Sequence, residues 1–486
     1  MKPFFCLPFR LTLSLAKSRC RLSGPYASLL TPFLLFCSPS AIHAQWEPDV
    51  RLTYNDSASQ TSFNNAWCVG ASKYTVLGSS VHVVWCDRRD GNRQIYYKRS
   101  QDEGATWGLD TRLTYTSTSS FDPAIAVTGI RVHVVWADRR DGGQEIYYKH
   151  STDGGATWGP DARLTNDTVG SSRPSLAVSG FDIHAVWYKG QNGNTDIYTT
   201  RSVDGGTTWE PETRLTTAPG WSLWPSVAVS GSQVHVAWDD DRNGAPQIFY
   251  KRSDDSGATW RPDTALTLHT NYSSDYPSVA VSGSDFYVTW QDSRNGNEEI
   301  YFKRSSNGGR TWGADARLTN DSALSLNPSI AASGSDVHIV WQNLGTAGVS
   351  IFSKSSTDSG TTWGADTCIT NSSSNPWNAS LALSGRNVHV VWQDGRDGND
   401  EIYYKREVVE PEERGTGGKF YALPNPFTAY TWVVGHEQED FYVYDIIGRL
   451  VGTYKGDRIG ENLVSGIYFL KPEGNEGKPL RIVKLR

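Results

Sequence analysis

The chain has 486 residues, among them 19 Trp, 23 Tyr and 46 Gly, and carries a formal net charge of −6. That length exceeds what one ordinary hydrophobic core organises, so several domains or a repeat array is required. Many aromatics and glycines without long helical periodicity point to an all-β protein with many tight turns, and the acidic balance argues against nucleic acid as a partner.

Residues 1–44 read as a signal peptide. Lys2, Arg10, Lys17, Arg19 and Arg21 are its only charged residues, an apolar run follows from Leu29 to Cys37, and small residues close it at Ala41-Ile42-His43-Ala44. The run is too short to span a bilayer, so cleavage near Ala44 is expected. Loss of the five basic residues takes the formal charge from −6 to −11. No later segment is apolar enough to be a transmembrane anchor. Cys68, Cys86 and Cys368 remain, with a spacing that fits no metal motif.

Residues 45–406 repeat. A Val-His-Val-Val-Trp-like run recurs with Trp at 85, 136, 187, 238, 290, 341 and 392, in steps of 51 or 52. Each copy is preceded by a Pro-Ser-Ile-Ala-Val-Ser-Gly-like run and followed by an Ile-Tyr-Tyr-Lys-like run and a Trp-then-Arg-Leu-Thr-like run. These short segments, rich in β-branched and aromatic residues and ended by Gly, Asp or Asn, read as strands. Each unit is a four-stranded meander, and seven packed radially bury both faces of every sheet. A linear solenoid would need capping units, and none is visible. The cut points favour a closed ring. The first Trp-Arg-Leu-Thr run, Trp46 to Thr53, stands alone, and the last unit stops after its third strand at Lys405. Together they complete a seventh blade, so the expected fold class is an all-β, seven-bladed β-propeller.

Between the third and fourth strands lies Ser-x-Asp-x-Gly-x-Thr-Trp, with its acid at Asp102, Asp153, Asp204, Asp255 and Asp358, and Asn307 in a sixth copy. The carboxylate accepts backbone N–H groups across the turn, Gly permits positive φ, and Trp fills the wedge between sheets. The motif resembles the Asp-box (bacterial neuraminidase repeat) propellers, a superfamily that includes sialidases, over Trp46 to Lys405. The resemblance implies that these residues are structural and sit on the face away from the active site of family enzymes. The Arg-Ile-Pro signature of the sialidases is absent, the region before the first box reading Asn64 to Gly70, and seven blades are counted where those enzymes normally have six. The fold carries over; no catalytic residue does.

Two loop sets mark the opposite face. One reads Trp-x-Asp-x-Arg-[Asp/Asn]-Gly and carries Arg89, Arg140, Arg242, Arg294 and Arg396 with Asp87, Asp138, Asp240, Asp292 and Asp394. It is either a charged rim for an anionic or hydroxyl-rich ligand or a repeated hairpin with a local Asp–Arg pair. The other set, entering each first strand, varies and holds Phe121, Trp221, Trp224, Tyr272, Tyr276 and Trp377; the longest of these loops carries Trp67. Variable loops on a rigid scaffold carry function, and aromatics beside polar groups suit sugar rings. Trp67, Trp221, Trp224, Tyr276 and Trp377 with the five arginines are the candidate ligand-binding set. His82, His133, His184, His235, His338 and His389 share one strand position in different blades, so no metal site is expected from them; Asp239-Asp240-Asp241 is the best candidate for the distinctive acidic loop a hydrolase would need, with calcium binding as its alternative role. Cys68 and Cys86 fall on one face of one blade, and a disulfide is expected in an exported protein.

Residues 407–419, rich in Glu, Pro and Gly, read as a linker, and residues 420–486 as a small β-sandwich domain. Pro424-Asn425-Pro426-Phe427, Tyr444-Asp445-Ile446-Ile447-Gly448-Arg449 and Gly466-Ile467-Tyr468 resemble the type A sorting domain of the type IX secretion system. That resemblance implies export machinery as a partner, passage across the outer membrane of a Gram-negative-type bacterium, and release or surface attachment. The expected function is glycan or surface recognition, with no assembled catalytic centre evident. Sialidase-like glycoside hydrolysis and a structural or adhesive role are the alternatives.

Overall fold

The computed structural model describes residues 44–54, 70–75, 78–166, 169–191, 193–269, 271–346, 348–370, 376–409, 422–423, 430–433, 439–446, 449–472 and 480–484. Every regular element among them is a β-strand. The four runs of each repeat form one antiparallel sheet in chain order. In blade 4 these strands are Ser222–Ser230, Gln233–Asp240, Gln247–Ser253 and Thr264–Ala265, with Val227 opposite Val236, Ala237 opposite Tyr250 and Tyr250 opposite Thr264. Seven such blades surround an axis.

Both faces of each blade are covered by neighbours, which is why the second strands run almost wholly buried instead of alternating. The seven second-strand tryptophans are the largest buried side chains, each at most 1% exposed. The outermost strand is only two residues long in most blades, leaving little free edge for pairing with another chain. First strands lie innermost: each contacts the first strand of the next blade, and Trp377–Ser384 of blade 7 contacts Gly70–Thr75 of blade 1.

The ring closes as expected. Val50–Arg51 is the fourth strand of blade 7, with Val50 opposite Tyr404 and Arg51 opposite Tyr403. Ala44–Trp46 extends the same edge, with Trp46 opposite Glu407. Blades are stitched to one another by a third-strand lysine that donates to the carbonyl just after the preceding blade's last strand, as Lys149 does to Leu113 O at 2.7 Å and Lys303 to Leu266 O at 2.6 Å.

Farther along, Asp440–Asp445, Leu450–Lys455, Gly466–Pro472 and Leu480–Lys484 form a separate four-stranded sheet around Phe441, Val443, Leu470 and Ile482. A two-stranded pair, Ala422–Leu423 with Trp432–Val433, brings Val433 to the same core. No helix among the described residues is long and apolar enough to cross a membrane.

Candidate functional site

Antiparallel order places the turns between third and fourth strands on one face of the ring. It places the second-to-third loops and the loops entering each first strand on the other.

On the first face the Ser-Asp turns are self-contained. Asp153 Oδ1 accepts Thr157 N at 2.8 Å, Ala156 N at 2.9 Å and Ser151 Oγ at 2.8 Å, while Oδ2 accepts Thr157 Oγ1 at 2.6 Å. These bonds hold its carboxyl well below the ordinary carboxylate range, the Thr157 hydroxyl contributing most. Asp102, Asp204, Asp255 and Asp358 bond their Thr in the same way, and Asn307 makes the equivalent pair with Thr311 N and Oγ1 at 2.9 and 2.7 Å. The turn's Trp meets the third-strand aromatic of the preceding blade edge-on, as Trp158 meets Tyr97 at 4.9 Å. The same tyrosines bond the strand histidines, His133 Nδ1 to Tyr148 Oη at 2.7 Å, and burial lowers the His133 pKa to about 3.

On the opposite face the five loop arginines are bound within the scaffold. Arg140 donates to Asp138 at 2.7 Å and Asp161 at 2.6 Å and lies 4.3 Å over the Tyr147 ring. Arg89, Arg242, Arg294 and Arg396 repeat this with Asp87 and Asp110, Asp240 and Asp263, Asp292 and Asp315, and Asp394 and Asp49. None of the five lines the axial cavity.

That cavity, of about 370 Å³, opens where the first strands begin. Six blades each send one residue to it from the same place, immediately before Pro in five of them and before Ala379 in the sixth. These are Asp122, Arg173, Trp224, Tyr276, Asn327 and Asn378, all left-handed, with φ of 54°, 53°, 51°, 54°, 49° and 55°. Each lies in a register shift of the first ladder, such as Leu223/Ser226. A non-Gly residue at positive φ is costly, and a following Pro restricts it further. The bulge re-aims one side chain per blade, and six repeats of the same strained geometry gather at one hole.

Four of the six form an arc. Arg173 Nε lies 3.3 Å from Asp122 Oδ2 and the guanidinium 4.4 Å from the Trp224 ring centre; Trp224 and Tyr276 rings lie 4.6 Å apart at 38°. The remaining arc is amide: Asn327 donates through Nδ2 to Gln342 Oε1 at 2.7 Å and through its N–H to Gln291 Oε1 at 3.0 Å. A neighbouring cavity shares Asp122 and Arg173 and adds Arg93, Gln144 and Tyr188.

Three further acids, Asp239, Asp275 and Glu298, are coupled electrostatically, the first two to Tyr276 as well. Asp239 is 5% exposed and its Oδ1 has no hydrogen-bond partner. Burial, reinforced by Asp275, raises its carboxyl well above the ordinary range. Burial and the charge of Asp292 push Asp275 up to about 6, and burial with Asp275 and Asp292 pushes Glu298 up to about 7. Asp239 and Asp275 in turn raise the Tyr276 hydroxyl, after the larger effect of burial.

Of the aromatic candidates, Trp224 and Tyr276 line the cavity. Trp377 is on the strand beside Asn378 and is exposed, and Trp221 is 57% exposed outside the lining, its N–H bound to Asp241 Oδ1 at 2.6 Å. Trp67 and Cys68 lie outside the described residues, so the expected disulfide falls there too; Cys86 is buried at the end of its strand and Cys368 is exposed. The triple Asp239-Asp240-Asp241 is divided: Asp240 holds Arg242, Asp241 takes the Trp221 N–H, and Asp239 faces inward. Among the described residues no group of three or more His, Cys, Asp or Glu is placed to hold a metal ion.

Asp122, Arg173, Asn327, Asn378, Asp275 and Glu298 were not among the sequence candidates. Reading the repeats column by column exposes a signal: the residue after the second-strand Trp is Cys86, Ala137, Tyr188, Asp239, Gln291, Gln342 and Gln393, a column with a single acid.

No family model and no curated protein matches this chain. Solved structures do. The polysaccharide lyase Uly1 aligns over 75% of this chain and 100% of its own, with a TM-score of 0.54 at 11% identity. A protein of unknown function from Dyadobacter fermentans covers 60% of this chain and 95% of its own, with a TM-score of 0.44 at 15% identity. The Hadza microbial sialidase Hz136 covers 68% and 74%, with a TM-score of 0.41 at 16% identity. At such identities the likeness to Uly1 is one of fold, a blade-built all-β ring.

Proposed function

We propose that the chain is an exported carbohydrate-recognition propeller whose ligand enters the axial cavity from the face opposite the Ser-Asp turns. The observation that carries this is the arc of Arg173, Trp224 and Tyr276, presented by three of the six strained bulges around one opening. Two adjacent rings offer π-faces to sugar C–H groups, while Asp122, Asn327 and Asn378 offer donors and acceptors to hydroxyls. The naming of Uly1 as a polysaccharide lyase agrees with a saccharide ligand. The leader and the C-terminal Pro-Asn-Pro-Phe and Gly-Ile-Tyr motifs support export across an outer membrane through dedicated machinery, followed by release or surface attachment. A glycan array should yield ligands whose binding weakens about tenfold in Trp224→Ala, the loss of one well-placed ring contact, and stays unchanged in Trp221→Ala. Equal binding by all three proteins would refute the cavity as the site.

A second reading is cleavage of a glycosidic bond, sialosides included. It is favoured by Asp275 and Glu298, coupled acids pushed up to about 6 and about 7, a range that suits a proton donor, with Asp275 also acting on the Tyr276 hydroxyl. Turnover of a fluorogenic sialoside, or reducing-end release from array hits, lost in Glu298→Gln, would establish it; binding without turnover leaves recognition alone.

A further inference from the structure

We infer that the side cavity lined by Arg93 and Arg173 takes the anionic group of an acidic saccharide, a carboxylate or a sulfate ester, while the rings of Trp224 and Tyr276 hold the sugar beside it. The inference rests on the carbohydrate reading above and names its chemical class.

The backbone fixes where these residues stand. A residue near the start of the third strand accepts the N–H of the Ser that opens the next blade's first strand. Arg93 O takes Ser120 N at 2.8 Å, and Gln144 O takes Ser171 N at 2.7 Å. Arg93 is thereby held beside Phe121 and Asp122, and Gln144 beside Ser172 and Arg173. These six residues and Tyr188 line one cavity of about 370 Å³. It shares Asp122 and Arg173 with the axial cavity, so the two spaces adjoin. Arg173 belongs to both, its guanidinium 4.4 Å from the Trp224 ring centre.

Both arginines depart from the repeat. Aligned two residues before the third-strand Ile, the blades carry Arg93, Gln144, Thr195, Pro246, Glu298, Val349 and Asp400. The left-handed position carries Asp122, Arg173, Trp224, Tyr276, Asn327 and Asn378. Each column holds a single cation, and the two cations meet at one cavity. A feature that the scaffold needs recurs in every blade, as the five loop arginines nearly do; these two do not recur.

Their charge is also unspent. Each loop arginine holds two carboxylates, as Arg89 holds Asp87 and Asp110. The Arg93 side chain has no ion pair or hydrogen bond among the described residues, and its Nε is buried without an acceptor. Buried donors in that condition are rare. Arg173 Nε lies 3.3 Å from Asp122 Oδ2. Two guanidiniums and one carboxylate therefore face the cavity, a local positive surplus in a chain of net charge −6. Much of the remaining wall is polar, Gln144 Nε2 donating to Ser172 Oγ at 2.5 Å.

That surplus selects the guest. It repels a metal ion or an ammonium group. A neutral hydroxyl brings no charge to balance it. A carboxylate or sulfate ester does, and its paired oxygens match the parallel N–H groups of a guanidinium.

The test is calorimetric titration of the full chain, leader removed, at physiological ionic strength. Two pairs of probes are used: an oligogalacturonate with its full methyl ester, and a sulfated galactan oligosaccharide with its desulfated form. At least one acidic member should bind about tenfold more tightly than its neutral partner, the scale of a charge-assisted hydrogen bond. Which pair responds tells carboxylate from sulfate. Arg93→Gln should abolish the preference and keep the parent melting temperature, and Arg93→Lys should retain part of it. Arg261→Gln, at an exposed arginine beside a Ser-Asp turn of the other face, should leave it intact. No preference in either pair, a preference that survives Arg93→Gln, or one that falls equally in Arg261→Gln overturns the inference. Neutral array glycans whose binding depends on Trp224, with neither acidic probe preferred, would leave the recognition reading standing while the anion assignment falls; binding of no saccharide at all removes both.

Discussion

A carboxylate buried without a donor costs free energy that packing alone does not recover. Asp239, with Oδ1 unbonded and only its own backbone N–H acting on the carboxyl, is close to that limit, and its effect on stability has a definite sign. Its folded pKa lies above the unfolded value of about 3.9. The stability it permits is therefore fully present below that value and is lost as pH rises through the folded pKa. Asp239→Asn removes the penalty and installs an amide, the group that Gln291, Gln342 and Gln393 place in the same column. We expect a gain in melting temperature that is near zero at about pH 4 and grows towards neutral pH. Histidines act in the opposite direction over the same window. Burial lowers His82, His184, His235 and His338 to about 4 and His133 to about 3. Their contribution is present above the unfolded value of about 6.5 and falls away as pH drops towards the folded values. Both proteins share those histidines, so the difference between their melting curves isolates Asp239. A pH-independent difference, or a loss at neutral pH, would contradict this account.

At the scale of the element, the Ser-Asp turn was legible because its chemistry is local: acid, Ser, Gly and Thr lie within a few residues of one another. Its outer partner was not legible, because that comes from the preceding blade. Gly155 has φ of +81°, and a Cβ there would stand 2.0 Å from Tyr97 Oη, the hydroxyl that meets His82 Nδ1 at 2.6 Å. Gly155→Ala must move that tyrosine or the turn, and should cost roughly 1–3 kcal/mol from backbone strain alone. Asp153→Asn should cost clearly less, since Asn307 already makes the equivalent bonds, its amide donating where the carboxylate accepts. Chemical denaturation of both variants decides it; a larger loss for Asp153→Asn would mean that charge, not shape, holds the turn. The same division between local and non-local explains the candidate site. Strands, period, closure and the aromatic pair Trp224 and Tyr276 were readable from the sequence. The bulge at each residue before Pro was not, because its side chain is aimed by the ring, and Asp122, Arg173 and Asn378 went unnoticed with it. The arginines were readable as a repeated feature. Their second carboxylates, such as Asp161 for Arg140, lie beyond the hairpin, just before the fourth strand, so the local pattern displayed half of each pair.

The whole molecule depends on a contact between distant ends of the chain. In blade 2, Asp161 is held by Arg140 at 2.6 Å and Lys149 at 2.9 Å, and Arg163 meets Glu145 at 2.8 Å, all within one repeat. Blade 7 makes the same contacts with residues from the other end: Asp49 with Arg396 at 2.6 Å and Lys405 at 2.8 Å, and Arg51 with Glu401 at 2.9 Å across 350 positions. Leu52 adds apolar closure, packing with Val81 and Trp85 of blade 1 as well as Val391 and Ile402 of blade 7. Its carbonyl also accepts Lys98 of blade 1. Ten or so residues thus join blade 6's successor to blade 1, and their removal would leave Glu401, 1% exposed, without its Arg51 and Thr53 partners. Glu401 would keep Asn399 Nδ2 at 2.8 Å, but Glu401–Val409 would lose its Val50–Arg51 neighbour and present an open strand edge. A chain beginning at residue 45 should therefore melt in one cooperative transition, while one beginning at residue 55 should melt at lower temperature or aggregate through the open edge. A synthetic peptide of residues 45–54 supplied in trans should bind the shorter chain and restore the higher transition. If both chains melt alike, or the peptide has no effect, closure contributes little and the blades stand largely by their neighbour contacts, as in an open repeat array.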